Sequence, residues 1–206
     1  MTKVKFKVTA LFLFAVALIL LPILTIKFTN NEPEELVEGT MDEIVESEMP
    51  VISNVVTIIN PYTDPTVTVK KGYYEPNTDE ETQISSITKH DNTYIQNTGI
   101  DYVGENTFDV VSILNGTVIN VNDNEEIGKT VEIRHDNGMI SIYQSLSETF
   151  VKKDDVITQG LVIGKSGENK LDKDLGNHLH FEIFDNGQPV NPLNYLNTQI
   201  TLEKGN

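Results

Sequence analysis

Residues 177–196 read Asn-His-Leu-His-Phe-Glu-Ile-Phe-Asp-Asn-Gly-Gln-Pro-Val-Asn-Pro-Leu-Asn-Tyr-Leu, and here a strand pattern coincides with side chains able to hold a metal. Successive residues of a strand point to opposite faces. His178, His180 and Glu182 therefore share one side, and Leu179, Phe181 and Ile183 share the other. Two neutral imidazoles spaced in this way can both contribute to one zinc site, but a catalytic zinc takes three protein ligands and this stretch supplies at most two. The plainer reading of the same residues is a solvated strand face. Asp185-Asn186-Gly187 is a turn signal, and Pro189 and Pro192 are expected to end regular pairing, which places the strand over residues 179–184.

The elements that must position these side chains are themselves short strands. Residues 116–121 read as a strand followed by a turn at Asn122-Asp123-Asn124. Residues 130–134 and 139–143 flank Asp136-Asn137-Gly138, a hairpin signal, with His135 as a solvated residue beside the turn. Residues 156–164 offer another strand and a tight turn, and Thr93-Tyr94-Ile95 reads as structure with a register of its own. Upstream, residues 51–59 and 66–70 have the β-branched richness of strands, and residues 75–82 read as a polar loop. No long helical period follows residue 90, so the expectation is an all-β domain, a sandwich or a partly closed barrel, of seven or so strands.

Ahead of this domain, Lys3, Lys5 and Lys7 precede residues 8–26, an apolar run of 19 residues without a charge. That length suits a hydrocarbon core of about 30 Å and exceeds a signal-peptide core of about 7 to 15 residues. The small-residue pattern Ala15-Val16-Ala17 lies inside the run instead of after it, so an uncleaved single-pass anchor is expected. The lysines should stay in the cytoplasm and the C-terminal domain should lie outside it. Residues 30–50 are acidic and lack Lys and Arg, which favours a flexible stalk over a helix braced by ion pairs. All 31 acidic residues follow the anchor, giving a net charge of −16 for the whole chain, a field that repels nucleic acid and other polyanions. With no cysteine, there are neither disulfides nor thiolate zinc sites.

Asn97-Thr98-Gly99-Ile100-Asp101, Gly116-Thr117-Val118, Tyr143-Gln144-Ser145-Leu146, Val162-Ile163-Gly164 with Ser166-Gly167, and His178-Leu179-His180-Phe181-Glu182 follow one another in a fixed order. Over residues 94–197 this series resembles the lysostaphin-like (LytM, M23-type) zinc peptidase domain, which implies an antiparallel β fold and cleavage of peptidoglycan cross-bridges. In that family zinc is held by a histidine, an aspartate four residues later, and the second histidine of His-x-His. Asp101 and His180 match the last two positions, but Asn97 replaces the first ligand. A second catalytic histidine is replaced by Ser145, which leaves His178 to match the remaining catalytic position. An amide oxygen is a poorer zinc donor than imidazole. A serine hydroxyl cannot exchange protons near neutrality, a loss of about 10² to 10⁴ in rate. The resemblance thus implies a vestigial site with no bound metal, no cofactor and no catalytic residue. His90 is a distant alternative ligand, since a loop shift would be needed to bring it to Asp101.

The expected organisation is a cytoplasmic N-terminus (1–7), transmembrane helix (8–26), acidic stalk (27–50), β-containing lead-in (51–93), degenerate M23 domain (94–197) and C-terminal tail (198–206). Anchor, stalk and domain together are similar to the sporulation members of the family. This implies a pseudoenzyme of the forespore membrane that projects into the intermembrane space. It would bind stage III sporulation protein AH of the mother-cell membrane in a ring-forming or channel-forming complex and support engulfment. The alternatives are an active zinc endopeptidase of peptidoglycan and an inactive module that activates a wall amidase.

Overall fold

The computed structural model describes residues 54–202. The expected transmembrane segment at 8–26 and the stalk at 27–50 lie outside them. Among the described residues no helix is long and apolar enough to cross a membrane.

The main sheet has ten strands. Its order runs β10 (Val156–Ile157), β7 (Gly116–Asn124), β8 (Gly128–His135), β9 (Ile140–Thr149), β12 (His178–Asp185), β5 (Ile100–Val103) and β2 (Thr68–Lys71), with every pair antiparallel. β13 (Gln188–Val190) pairs with β12, while β11 (Val162–Ser166) joins the far half of β9 to β6 (Asp109–Val111). Two small sheets complete the described fold: β1 (Asn54–Thr57) with β14 (Gln199–Leu202), and β3 (Ile87–His90) with β4 (Thr93–Gln96). The expected all-β antiparallel architecture is therefore present.

β12 contributes three side chains to the core. Leu179, Phe181 and Ile183 are fully buried on one face, among Ile100 and Tyr102 of β5, Val131 and Ile133 of β8, and Tyr143 of β9. Tyr143 lies opposite Phe181, with ring centroids 5.2 Å apart and tilted by 51°, a favourable aromatic arrangement. β9 is shared between two pairings. Up to Gln144 it pairs with β12, and from Leu146 it pairs with β11. Between them Ser145 has φ 63°, and opposite β8 the register slips so that β9 carries one extra residue. This is a bulge, which bends a strand and re-aims its side chains.

Four local expectations need correction. Residues 122–124 continue β7; the turn comes later because the Asn124 side chain accepts from the Glu126 and Ile127 amides at 2.8 and 3.2 Å. The polar stretch read as a loop runs into helix α1 (Glu80–Ser85), whose first turn is capped by the Asp79 carboxylate accepting from Thr82 N at 3.0 Å. Pro189 does not end pairing but sits inside β13, an edge strand where a missing N–H leaves no ladder partner unmet. Gln199–Leu202, expected to lie in a tail, pairs with β1.

The burial pattern sets a stability expectation. Phe181→Ala should cost about 3 to 5 kcal/mol, whereas Val156→Ala, at an 81% exposed position, should change stability by less than about 0.5 kcal/mol. Urea unfolding of the two variants beside the unaltered protein checks both values.

Candidate functional site

The face of β12 opposite the core carries His178, His180 and Glu182. His180 lies directly across from Asp101 on β5 and from Gln144 on β9, so ladder register alone brings two of the expected metal positions together. The loop before β5 delivers Asn97 and Thr98. It can do so because Gly99 passes so close to β12 that a Cβ there would stand 2.3 Å from the Phe181 carbonyl oxygen. The resulting cleft, of about 120 Å³, is lined by the β12 side chains, the 97–101 segment, Gln144, Asn169 and Asp172, with Thr88, Ile95 and Gln96 along the β3–β4 side.

On the metal side, His180 Nδ1 is 2.7 Å from Asp101 Oδ1 and Nε2 is 3.2 Å from Glu182 Oε1. Thr98 donates its hydroxyl to the same Glu182 oxygen. Asn97 Nδ2 donates towards Asp101 Oδ2 at 3.1 Å, the Gly72 carbonyl at 2.9 Å and the Gly99 carbonyl at 3.1 Å. Since all three neighbours are acceptors, the amide nitrogen and not its oxygen must occupy this point. Burial by itself would pull the His180 pKa down, but hydrogen bonds and charge from Asp101 and then Glu182 outweigh it and push the value up to about 10. Both ring nitrogens of His180 thus face carboxylate oxygens and are taken up within the protein.

Zinc does not fit this arrangement. The Asn97 position presents N–H groups, both Asp101 oxygens already accept, and both His180 nitrogens are engaged by carboxylates. Among the described residues no group of three His, Asp or Glu side chains is placed to hold a metal ion.

On the other side of the site Ser145 Oγ is 2.9 Å from His178 Nε2. His178 Nδ1 faces the Gly176 carbonyl at 2.7 Å, so Nδ1 carries the proton and Nε2 accepts from the serine. Asn169 Nδ2 donates to Ser145 Oγ at 2.7 Å. The pair has the spacing of a nucleophile and its base, but Ser145 is 0% exposed and His178 1%. Neither side chain is open to solvent. The two hydrogen bonds of Ser145 Oγ satisfy a buried polar group.

The two remaining histidines lie elsewhere. His90, at the turn end of β3, bonds the Leu171 carbonyl at 3.2 Å and faces Asp91 and Glu126. His135 is not solvated, as the sequence suggested, but 3% exposed. Nδ1 donates to the Asn115 carbonyl at 2.9 Å and Nε2 meets Ser141 Oγ at 2.7 Å, with Tyr143 Oη 3.0 Å beyond. A residue beside a turn can be buried when its strand position faces the core, and β8 alternation puts His135 in phase with Val131 and Ile133. Asn169 also escaped the sequence reading, because it lies on a loop in no motif.

Residues 95–192 match peptidase family M23. Stage II sporulation protein Q of Bacillus subtilis (strain 168) is 34% identical over 176 residues, which is 84% of this chain and 58% of that protein. A chain in the solved structure of the SpoIIQ-SpoIIIAH pore forming complex is 38% identical, with a TM-score of 0.67 over 68% of this chain and 91% of the other. The chain belongs to the stage II sporulation protein Q group of peptidase family M23. The fold of this group extends to a zinc containing peptidase from Vibrio cholerae, 21% identical with a TM-score of 0.53 over 68% of this chain and 39% of that one. The present chain spans 58% of the length of its B. subtilis relative.

Two measurements test the site. Purified protein dialysed against a mild chelator should retain no stoichiometric zinc, and calorimetric titration should give an affinity at least about tenfold weaker than an intact three-ligand site, the scale of effect caused by losing even a supporting partner. The pH dependence follows from His135, whose pKa is lowered, chiefly by burial and partly offset by Asn115 and Asp136. A depressed folded-state value means that the unfolded chain binds the proton more readily. The contribution of His135 is thus present above its ordinary pKa of 6.5 and is lost as pH falls below it. Between pH 7 and pH 5 the urea midpoint of the unaltered protein should therefore fall relative to that of His135→Gln, a comparison in which the opposite contribution of His180, whose pKa is raised in both proteins, cancels.

Proposed function

We propose that the chain is a membrane-anchored, non-catalytic M23-type protein that acts in endospore formation by binding another protein. In this reading residues 8–26 anchor it in the forespore membrane with the N-terminus in the cytoplasm, and residues 27–50 form the stalk. The domain projects into the intermembrane space and pairs there with stage III sporulation protein AH from the mother cell, in a channel-forming hetero-oligomer that supports engulfment. The observation that carries this reading is the 38% identity to a chain of the SpoIIQ-SpoIIIAH pore forming complex, of which the present chain covers 91%. The site chemistry supports the non-catalytic part: Asn97 donates where a ligand must accept, and Ser145 is closed to solvent.

The competing reading, a zinc endopeptidase of peptidoglycan, draws on the proximity of Asp101 and His180. The two readings diverge on chelation. Captured stage III sporulation protein AH ectodomain should bind the protein equally well with and without chelator, and purified peptidoglycan should remain uncleaved with zinc added. His178→Ala, if it melts as a folded protein, should still bind and should still support sporulation. Binding abolished by chelator, or peptide release dependent on zinc, would overturn the proposal.

A further inference from the structure

Residues 75–96 are attached to the domain in an unusual way. α1 buries no residue, all four residues of β4 are exposed, β3 buries only Thr88, and none of these elements contributes to the hydrophobic core cluster. The hydrophobic effect therefore does little to hold this segment against the cleft it borders. Polar links do so instead: Asn191 Nδ2 donates to Glu75 Oε1 at 2.5 Å, His90 Nδ1 meets the Leu171 carbonyl at 3.2 Å, and a third group centres on Asn97. Its backbone N–H donates to the Ser86 carbonyl at 2.9 Å, its carbonyl accepts from Tyr74 N at 2.8 Å, and its side chain binds Gly72 at one end of the excursion and Asp101 in the sheet. A further set of links lies across the cleft, where Lys71 pairs with Asp172 and donates to Thr88 Oγ1 at 2.7 Å, while Thr88 Oγ1 donates to Asp172 at 3.0 Å.

From the mismatch between these residues and a metal, we infer that the former metal position has become the anchor of a cover, with Asn97 as the staple that locks residues 72–96 beside the cleft. The chemistry is an exchange of roles. A ligand at position 97 would direct a lone pair inward to an ion, whereas the Asn97 amide directs N–H groups at three acceptors, two of them backbone carbonyls that close the base of the excursion. One substitution thereby withdraws a ligand and fastens the segment bordering the site. This inference rests on the metal-free reading of the site, and the following experiment separates the failure of one from the failure of the other.

Backbone amide hydrogen exchange is measured on the full-length protein, its metal content determined first, and on Asn97→Ala, Asn97→Asp and Lys71→Met. Asn97→Asp is nearly isosteric but puts an oxygen where the N–H groups were, so it tests the donors without opening a cavity. Exchange within residues 72–96 should rise at least tenfold in both Asn97 variants, while amides of β8 and β9 stay within about twofold of the unaltered protein. Lys71→Met should loosen 87–90 and leave 72–74 protected. Unchanged exchange in 72–96 in a metal-free Asn97→Asp protein would overturn the staple, as would a rise of equal size in β8 and β9. Stoichiometric zinc in the unaltered protein would instead overturn the metal-free reading.

Discussion

The pairing of β12 with β5 on one side and β9 on the other is the constraint from which the rest of the molecule follows. Because side chains alternate along a strand, a single register decides both halves of the structure. Phe181 opposite Ile100 and Tyr143 builds the core, and His180 opposite Asp101 and Gln144 builds the site. A slip of one residue would bury the histidines in the apolar layer and expose three large hydrophobic side chains. The site geometry is therefore maintained by the free energy of burying Leu179, Phe181 and Ile183, whether or not the site performs any chemistry. This separates persistence of the constellation from persistence of catalysis.

What distinguishes the site from a metal centre is the direction of its hydrogen bonds. A zinc ion requires several lone pairs converging on one point and nothing donating there. Here the Asn97 amide and both nitrogens of His180 donate, and Asp101 and Glu182 accept, so donors and acceptors are matched among the protein groups themselves. His180, bracketed by two carboxylates that raise its pKa, links both buried acids through its ring nitrogens. On the other side of the site the same balance holds, with Ser145 accepting from Asn169 and donating to His178.

The sequence disclosed the parts that depend on period and on turn chemistry. Alternation along 178–183 placed both faces of β12, and Asp136-Asn137-Gly138 and Asp185-Asn186-Gly187 marked tight turns whose glycines have φ 86° and 75°. Asn97, Asp101, His178 and His180 do meet in one cleft. What escaped were features decided by long-range packing. The burial of His135 depends on what covers β8, the recruitment of Asn169 depends on where a loop lands, and α1 is too short to display a period. Pro189 misled because a proline signals the end of pairing only for a central strand, and whether a strand is central is a property of the whole sheet.

His178 and His180 have structural tasks that do not depend on catalysis. His178 bridges Ser145 and the Gly176 carbonyl while fully buried, and His180 bridges Asp101 and Glu182. Replacing either would leave buried groups without partners, at about 1 to 3 kcal/mol for each neutral group and more where a carboxylate is involved. Asn97 and Ser145 stand in the opposite relation to the site. At each, a side chain smaller than imidazole still completes the surrounding hydrogen bonds, Asn97 as a donor and Ser145 as both donor and acceptor. At His178 and His180 the atoms that could serve chemistry are the same ones that satisfy buried neighbours, whereas Asn97 and Ser145 meet the hydrogen-bond requirements around them without an imidazole.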